Sequence, residues 1–239
     1  MNHLLSADPS VQVSAWVKTK KVLKWILIVC AVLYGIGVLI MVYKWYIAPK
    51  AVERIHARKV TMDMVMGKNL PPAPDAKKNN KTVAGIDVNN NGVRDDVELE
   101  IWRRHPESAK IRAAQLQYAQ ALQSFFTDVF NGTTLDSAIY EYVRAGSCLD
   151  KLHETDMTLL PRKPLQQWTR EEMDLGNSLG SEHYKIVQAL TGEVESQVLN
   201  NDDRKKAHSD TNRYARNGNP NFNRHKPLDC DVQFGSLDD

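Results

Sequence analysis

Hydrophobic and polar positions are arranged along this chain in two different ways. From Trp25 to Tyr46 (WILIVCAVLYGIGVLIMVYKWY) nearly every position is apolar. At a helical rise of ~1.5 Å per residue, about 22 residues cover ~33 Å, enough to cross the hydrocarbon of a bilayer. Lys24 and Lys44 mark the edges, and Trp25, Tyr43, Trp45 and Tyr46 stand where aromatic rings meet lipid headgroups. The pattern predicts a transmembrane helix over 25–46. In the N-terminal arm, 1–24, residues 1–17 are polar and mixed, with Asp8-Pro9-Ser10 as a turn signal, and are expected to be disordered or weakly helical.

Beyond the span, residues 47–66 contain good helix formers and no breaker after Pro49, which predicts a short juxtamembrane stalk. Residues 67–82 (GKNLPPAPDAKKNNKT) hold three prolines and almost nothing apolar, the composition of a partly stiffened linker. The remainder, 83–239, is expected to form one all-α domain, for an overall architecture that is mainly α with about four to six helices in the soluble part. Asp95 to Arg104 reads as a helix ending before Pro106. Ile111, Ala114, Tyr118, Leu122, Phe125 and Val129 recur at steps of three and four, the core stripe of a second helix starting near Pro106 and closed by Asn131-Gly132. Leu135, Ile139, Val143, Gly146 and Leu149 form the stripe of a third, starting at Thr133.

Pro161 to Trp168 reads as a loop. Thr169-Arg170-Glu171-Glu172 is a capping box opening a fourth helix to about Leu190, with Met173, Leu179, Tyr184, Val187 and Leu190 facing inward and a shorter helix over Glu193 to Leu199 continuing it. A short helix near Asp202 to Arg216 and an irregular C-terminal tail with a turn at Gly218-Asn219-Pro220 complete the expectation.

Charge changes the picture by exclusion. In 239 residues, 31 Lys and Arg balance 29 Asp and Glu, so no field of the kind that gathers nucleic acid is present. The basic residues cluster on both sides of the span: Lys18, Lys20, Lys21 and Lys24 before it, Lys50, Arg54, Arg58 and Lys59 after it, which leaves the positive-inside count nearly tied. A short basic arm before an apolar run with no small-residue cleavage site after it is the layout of an uncleaved signal anchor. The expected topology is therefore single-pass in the inner (plasma) membrane, N-terminus cytoplasmic and C-terminal domain periplasmic or extracellular. Cysteine usage bears on the same point. Cys30 lies in the span, and Cys148 and Cys230 are the only others. They lack zinc or redox spacing and read either as a disulfide, which requires an oxidising compartment, or as two unrelated buried thiols.

The stretch with candidate chemistry is Asp87-Val-Asn89-Asn-Asn91-Gly92-Val93-Arg-Asp95-Asp96-Val-Glu98, which fills every ligand position of D-x-[DN]-x-[DN]-G-x5-E. Calcium takes six to eight oxygens in a flexible shell. This spacing offers the side chains of Asp87, Asn89, Asn91 and Asp95, the Val93 carbonyl and both oxygens of Glu98, with Gly92 at the sharp turn. An Asn/Asp-rich turn that merely caps the next helix is the alternative. The tract resembles an EF-hand calcium loop, and more narrowly the single Asp-rich loops of bacterial secreted and envelope proteins; the resemblance covers Gly85 to about Arg103 and implies bound Ca2+ but no activity. No entering helix precedes Asp87, so it is half an EF-hand. Asn at two ligand positions lowers the site's charge, which points to a dissociation constant on the order of 10⁻⁴ to 10⁻³ M. The expected role is structural, fixing the start of the domain.

Other motifs are few. The seven histidines show no zinc-hydrolase spacing, and no G-x-S-x-G, Walker loop or G-x-G-x-x-G occurs. Trp102-Arg103-Arg104-His105 reads as a core aromatic beside solvated cations, or as a contact for an anionic partner. The sequence thus points to a non-enzymatic binding or scaffolding module with a protein partner in a membrane assembly. An envelope enzyme without a recognisable motif and an immunity or phage-exclusion protein are the alternatives.

Overall fold

The structure, a computed structural model, describes residues 9–153, 159–215 and 229–237, with side chains from residue 22 onward and without that of residue 153. Among these residues there are eight α-helices and no strands: α1 (Pro9–Ala57), α2 (Met62–Val65), α3 (Ala76–Asn79), α4 (Asp95–Arg104), α5 (Ala109–Thr127), α6 (Gly132–Asp150), α7 (Arg170–Val198) and α8 (Asp202–Asp210). The mainly α class predicted from the apolar periodicity is what the chain adopts. The expected turn at Gly218-Asn219-Pro220, and His3, Asp8, His225 and Arg216, lie outside the described residues.

The chain divides into two compact units, Met1–Ile47 and Ala48–Asp239. The first is built by α1. Its side chains from Val22 to Tyr46 are exposed almost throughout, Trp25 at 68% and Leu39 at 70%. A helix that is apolar on every face and packs against nothing is suited to hydrocarbon. Among the described residues it is the one helix long and apolar enough to cross a membrane. The arm before it is helical from Pro9, the helical one of the two expectations for that segment: proline suits a first helical turn, and no breaker intervenes before Pro49.

In the second unit the expected stalk and linker are packed parts of the domain. The domain begins at Ala48 rather than near Val83, because Ala51, Ile55, Val60 and Val65 are buried. The helix expected over 47–66 stops at Ala57 and resumes for a single turn as α2, where Thr61 accepts from the Met64 N–H. Within the linker, Asp75 caps α3, and Asn79 is buried. Arg204 of α8, fully buried, donates to the carbonyls of Asn79 (2.7 Å) and Val83 (3.0 Å) and to the side chain of Asn80 (3.0 Å). Five donors in a fixed fork let one residue satisfy several loop carbonyls at once.

The core forms around α5, which packs on α4, α6, α7 and α8. Ser108 caps it, so it starts later than Pro106. From Arg112 to Phe125 every residue is buried, including four glutamines. The glutamines hold the backbone of three other segments. Gln115 donates to the Leu190 carbonyl (3.1 Å), Gln117 accepts from the Asp231 N–H (2.8 Å), Gln120 donates to the Asn91 carbonyl (2.6 Å), and Gln123 accepts from the Arg94 N–H (3.2 Å). Buried amides are tolerable only when hydrogen-bonded, and here they tie irregular chain to a regular rod.

Asn131 rather than Thr133 caps α6, through a box with Thr134. On α6 Val143 is exposed, whereas Glu141 and Arg144 are buried in its place. The capping box at Thr169 and Glu172 forms as expected, and α7 runs unbroken through Gly192 to Val198. Only Leu190, Val194 and Val198 of α7 are buried; Met173 and Tyr184, expected inside, are 46% and 64% exposed. In that half of the helix, Trp168 covers Gly176, where an added Cβ would meet the ring at 2.8 Å.

Candidate metal centre

The loop expected to hold calcium closes on itself through the N–H groups at its turn. Asp87 accepts from Asn91 N–H (3.1 Å) and Gly92 N–H (2.9 Å), Asn91 Oδ1 accepts from Val93 N–H (2.8 Å), and Asp95 Oδ1 accepts from Val88 N–H (3.0 Å). Asn90 and Gly92 have φ of 53° and 85°. Asn tolerates that left-handed region, and Gly occupies it freely. At Gly92 there is a second reason: a Cβ would stand 2.7 Å from Cδ of Arg58. The exit is α4, whose first turn carries Asp95, Asp96 and Glu98.

Two carboxylates are buried there, with Asp87 close enough to act on both. Asp95 and Glu98 are 0% and 1% exposed. Burial pushes both carboxyls above their ordinary range, helped by the charges of Asp87 and Asp96 at Asp95 and of Asp87 and Asp95 at Glu98. Glu98 Oε2 accepts from the amides of Asn89 (3.1 Å) and Asn91 (2.8 Å), so the two asparagines supply the donors that a cation would replace. Oδ2 of Asp95 is buried without a hydrogen-bond partner. An orphaned buried carboxylate oxygen beside two other acids is the environment a hard cation relieves. The six positions Asp87, Asn89, Asn91, Val93, Asp95 and Glu98 are therefore brought into one loop. Among the described residues no group of three or more His, Cys, Asp or Glu side chains is gathered as a ready cage, and this donor set leans instead on two amides and a carbonyl.

A second constellation, not foreseen in the sequence, joins the residues following the span to α5, α6 and the C-terminal segment. Arg54 and Arg58 share the buried Asp128 at 3.2 and 2.5 Å. His56 Nδ1 meets Glu141 at 2.7 Å; Arg144 bridges Glu141 and Asp231 at 2.6 Å each; Lys59 lies 3.6 and 3.5 Å from the same two acids. Burial alone would raise Glu141, but the hydrogen bond with His56 and the charges of Arg144 and Lys59 outweigh it and hold the carboxyl below its ordinary range. Asp231 also accepts from Val60 N–H (2.9 Å). A cavity of about 10 Å³, lined by Ile55, Arg58, Gln120, Glu141 and Arg144 among others, lies within this network; it is about one water in size.

No known protein family, characterised protein or solved structure matches this chain. What it does is therefore argued from its own residues.

Cys148 and Cys230 are joined in a disulfide with Cα atoms 4.9 Å apart, the first of the two readings of these cysteines. The bond holds the 229–237 segment on α6. Trp102 is a structural residue: its indole donates to the Met64 carbonyl (3.3 Å), and Arg112 stacks 4.1 Å over the ring. His105 pairs with Glu193 (2.9 Å). Tyr118, in the α5 stripe, bonds Tyr142 (2.6 Å) and Glu195 (2.7 Å), and burial in that network raises its hydroxyl pKa.

Proposed function

We propose that the chain is a membrane-anchored helical module, stabilised by one Ca2+ in the EF-hand-like loop Asp87–Glu98, that works by binding or scaffolding in a membrane assembly on the periplasmic or extracellular side. The observation that carries the metal reading is the unpartnered buried Oδ2 of Asp95, in a loop where the charges of Asp87 and Asp95 also act on the buried Glu98. Asp87, Asn89, Asn91, Asp95, Glu98 and the Val93 carbonyl would hold the ion, and the ion would supply charge neutralisation that locks the start of α4 against α5 through Gln120. Gain of order, not reaction chemistry, is its contribution. Two features support the outward topology: the signal-anchor layout of the N-terminus and the Cys148–Cys230 disulfide, a bond that persists in oxidising compartments. The exposed Met173, Leu175 and Tyr184 on the first half of α7 are in keeping with a protein that acts by contact. Calorimetric titration of the full-length protein in detergent tests the metal reading: one Ca2+ per chain is expected, and none in the Asp87→Ala/Glu98→Ala double variant. Undiminished binding by that variant would refute it.

A further inference from the structure

Beside the metal loop lies a groove of about 450 Å³, inside the size range of small-ligand sites. One wall is Arg54, Arg58, Lys59 and Thr61; the other is Asn69 and the amide-bearing tips Asn89, Asn90 and Asn91. Three cations line it and no carboxylate does. Asp95 and Glu98 are buried inside the loop, so the groove meets neutral asparagines and not the acids behind them.

The positive charge is not cancelled from within. Asp128 is the one carboxylate serving both Arg54 and Arg58. The acids facing Lys59, Glu141 and Asp231, are each claimed more closely by Arg144, and Glu141 also by His56. Four permanent cations thus share three carboxylates. The surplus charge is most accessible at Arg54 and Lys59, whose side chains are 56% and 44% exposed. A guanidinium, an ammonium and a hydroxyl around one hollow are the donors that recognise a phosphate group, while the amides of Asn89, Asn90 and Asn91 are spent on Glu98 and on the carbonyls of Asn69 and Val88.

From these observations we infer that the groove binds the phosphodiester headgroup of an anionic lipid. A lipid is favoured over a free phosphate by covalent connection. Arg54 follows Tyr46, the last residue of the apolar run, by eight positions. Even fully extended, that chain cannot hold Arg54 more than about 29 Å from it. A ligand in the bilayer surface is thereby kept at high effective concentration, whereas a soluble anion is not.

Native mass spectrometry of the full-length protein in detergent, in EDTA so that no calcium bridges lipid to protein, tests the assignment. Phosphatidylglycerol and phosphatidylcholine of equal chain length are titrated separately. The expected result is retention of phosphatidylglycerol at a concentration at least fivefold lower. Each removed cation, in Arg54→Gln or Lys59→Gln, should cost about fivefold. Because Arg54 also contacts Asp128, Asn90→Asp provides a variant that leaves every cation in place and puts an acid at the rim; a similar loss is expected. Equal retention of the two lipids, or Asn90→Asp and Lys59→Gln proteins that both bind phosphatidylglycerol like the wild type, would overturn the assignment. Displacement of the lipid by equimolar inorganic phosphate would overturn it in favour of a soluble anion.

Discussion

Replacing Glu98 by Gln separates the structural and metal-binding roles of the loop. The carboxamide keeps the shape of the side chain and an oxygen to accept from Asn89 and Asn91, but removes one of the two buried charges. Without calcium the wild-type loop bears the cost of burying Asp95 and Glu98 near Asp87, which is why both carboxyls titrate above their ordinary values of 3.8 and 4.5. In EDTA at pH 7 the variant should therefore melt no lower than the wild type. Calcium reverses the order. With a dissociation constant on the order of 10⁻⁴ to 10⁻³ M, 10 mM Ca2+ stabilises the wild type by about 1.4 to 2.7 kcal/mol. In a domain of this size that is a rise of roughly 3 to 10 °C in Tm. The variant, lacking the bidentate ligand, should show little of it.

The pH dependence has a definite sign. An acid whose folded pKa is raised holds its proton more tightly folded than unfolded. Its stabilising contribution is complete below the unfolded value, near 4, and is lost as pH rises through the folded value. Calcium competes with those protons, so the calcium-induced rise in Tm should grow as pH is raised from near the unfolded values towards neutrality. Differential scanning calorimetry of the full-length protein with and without 10 mM Ca2+ measures both effects. The reasoning fails if wild type shows no calcium shift, or if Glu98→Gln is destabilised in EDTA and keeps the shift.

Three further outcomes are expected. Alkaline phosphatase fused after Asp239 should be active and a cytosol-dependent fluorescent reporter dark; the reverse would remove the outward topology. Cys230→Ser should abolish the mobility difference between reduced and oxidised protein and lower stability by about 4 to 5 kcal/mol, the loop-closure value for a sequence separation of 82. Arg204→Lys, measured by urea unfolding, should cost about 2 kcal/mol or more, because one ammonium cannot serve the carbonyls of Asn79 and Val83 and the side chains of Asn80 and Asn200 together.

What was legible in the sequence was local. The span declares itself because twenty-odd apolar residues have few other uses. The capping box at Thr169 follows from side chains bonding backbone three residues away, and the start of α4 at Asp95 carries acids in its first turn, where the helix dipole favours them. Less legible was everything decided by long-range polar contact. Residues 67–82 have the composition of a free linker, yet Arg204, more than a hundred residues later, gathers their carbonyls. Val143 sits at a core position of the α6 stripe and is displaced by Glu141 and Arg144, because an ion network with residues 54–59 occupies that face. Met173 and Tyr184 fit an inward stripe, but α7 outruns the core, and a periodic pattern carries no information about where the core ends.

The packed linker and the displaced Val143 both come from buried charge. Buried charge is avoided in sequence-based reasoning because an unpaired ion is costly. Here the cost is offset by pairing residues from the two ends of the domain. Lys59 and Val60 N–H meet Asp231, and Arg144 binds both Asp231 and the Asp229 carbonyl, while Cys230 between them is bonded to Cys148. The disulfide and the ion network thus act on the same three residues, 229–231. Each fixes the position the other needs: a tethered Asp231 loses little further entropy in pairing, and a paired Asp231 keeps Cys230 facing its partner. Such reciprocal support makes the two contributions non-additive, so the segment after the span is secured by a bond at the far end of the chain.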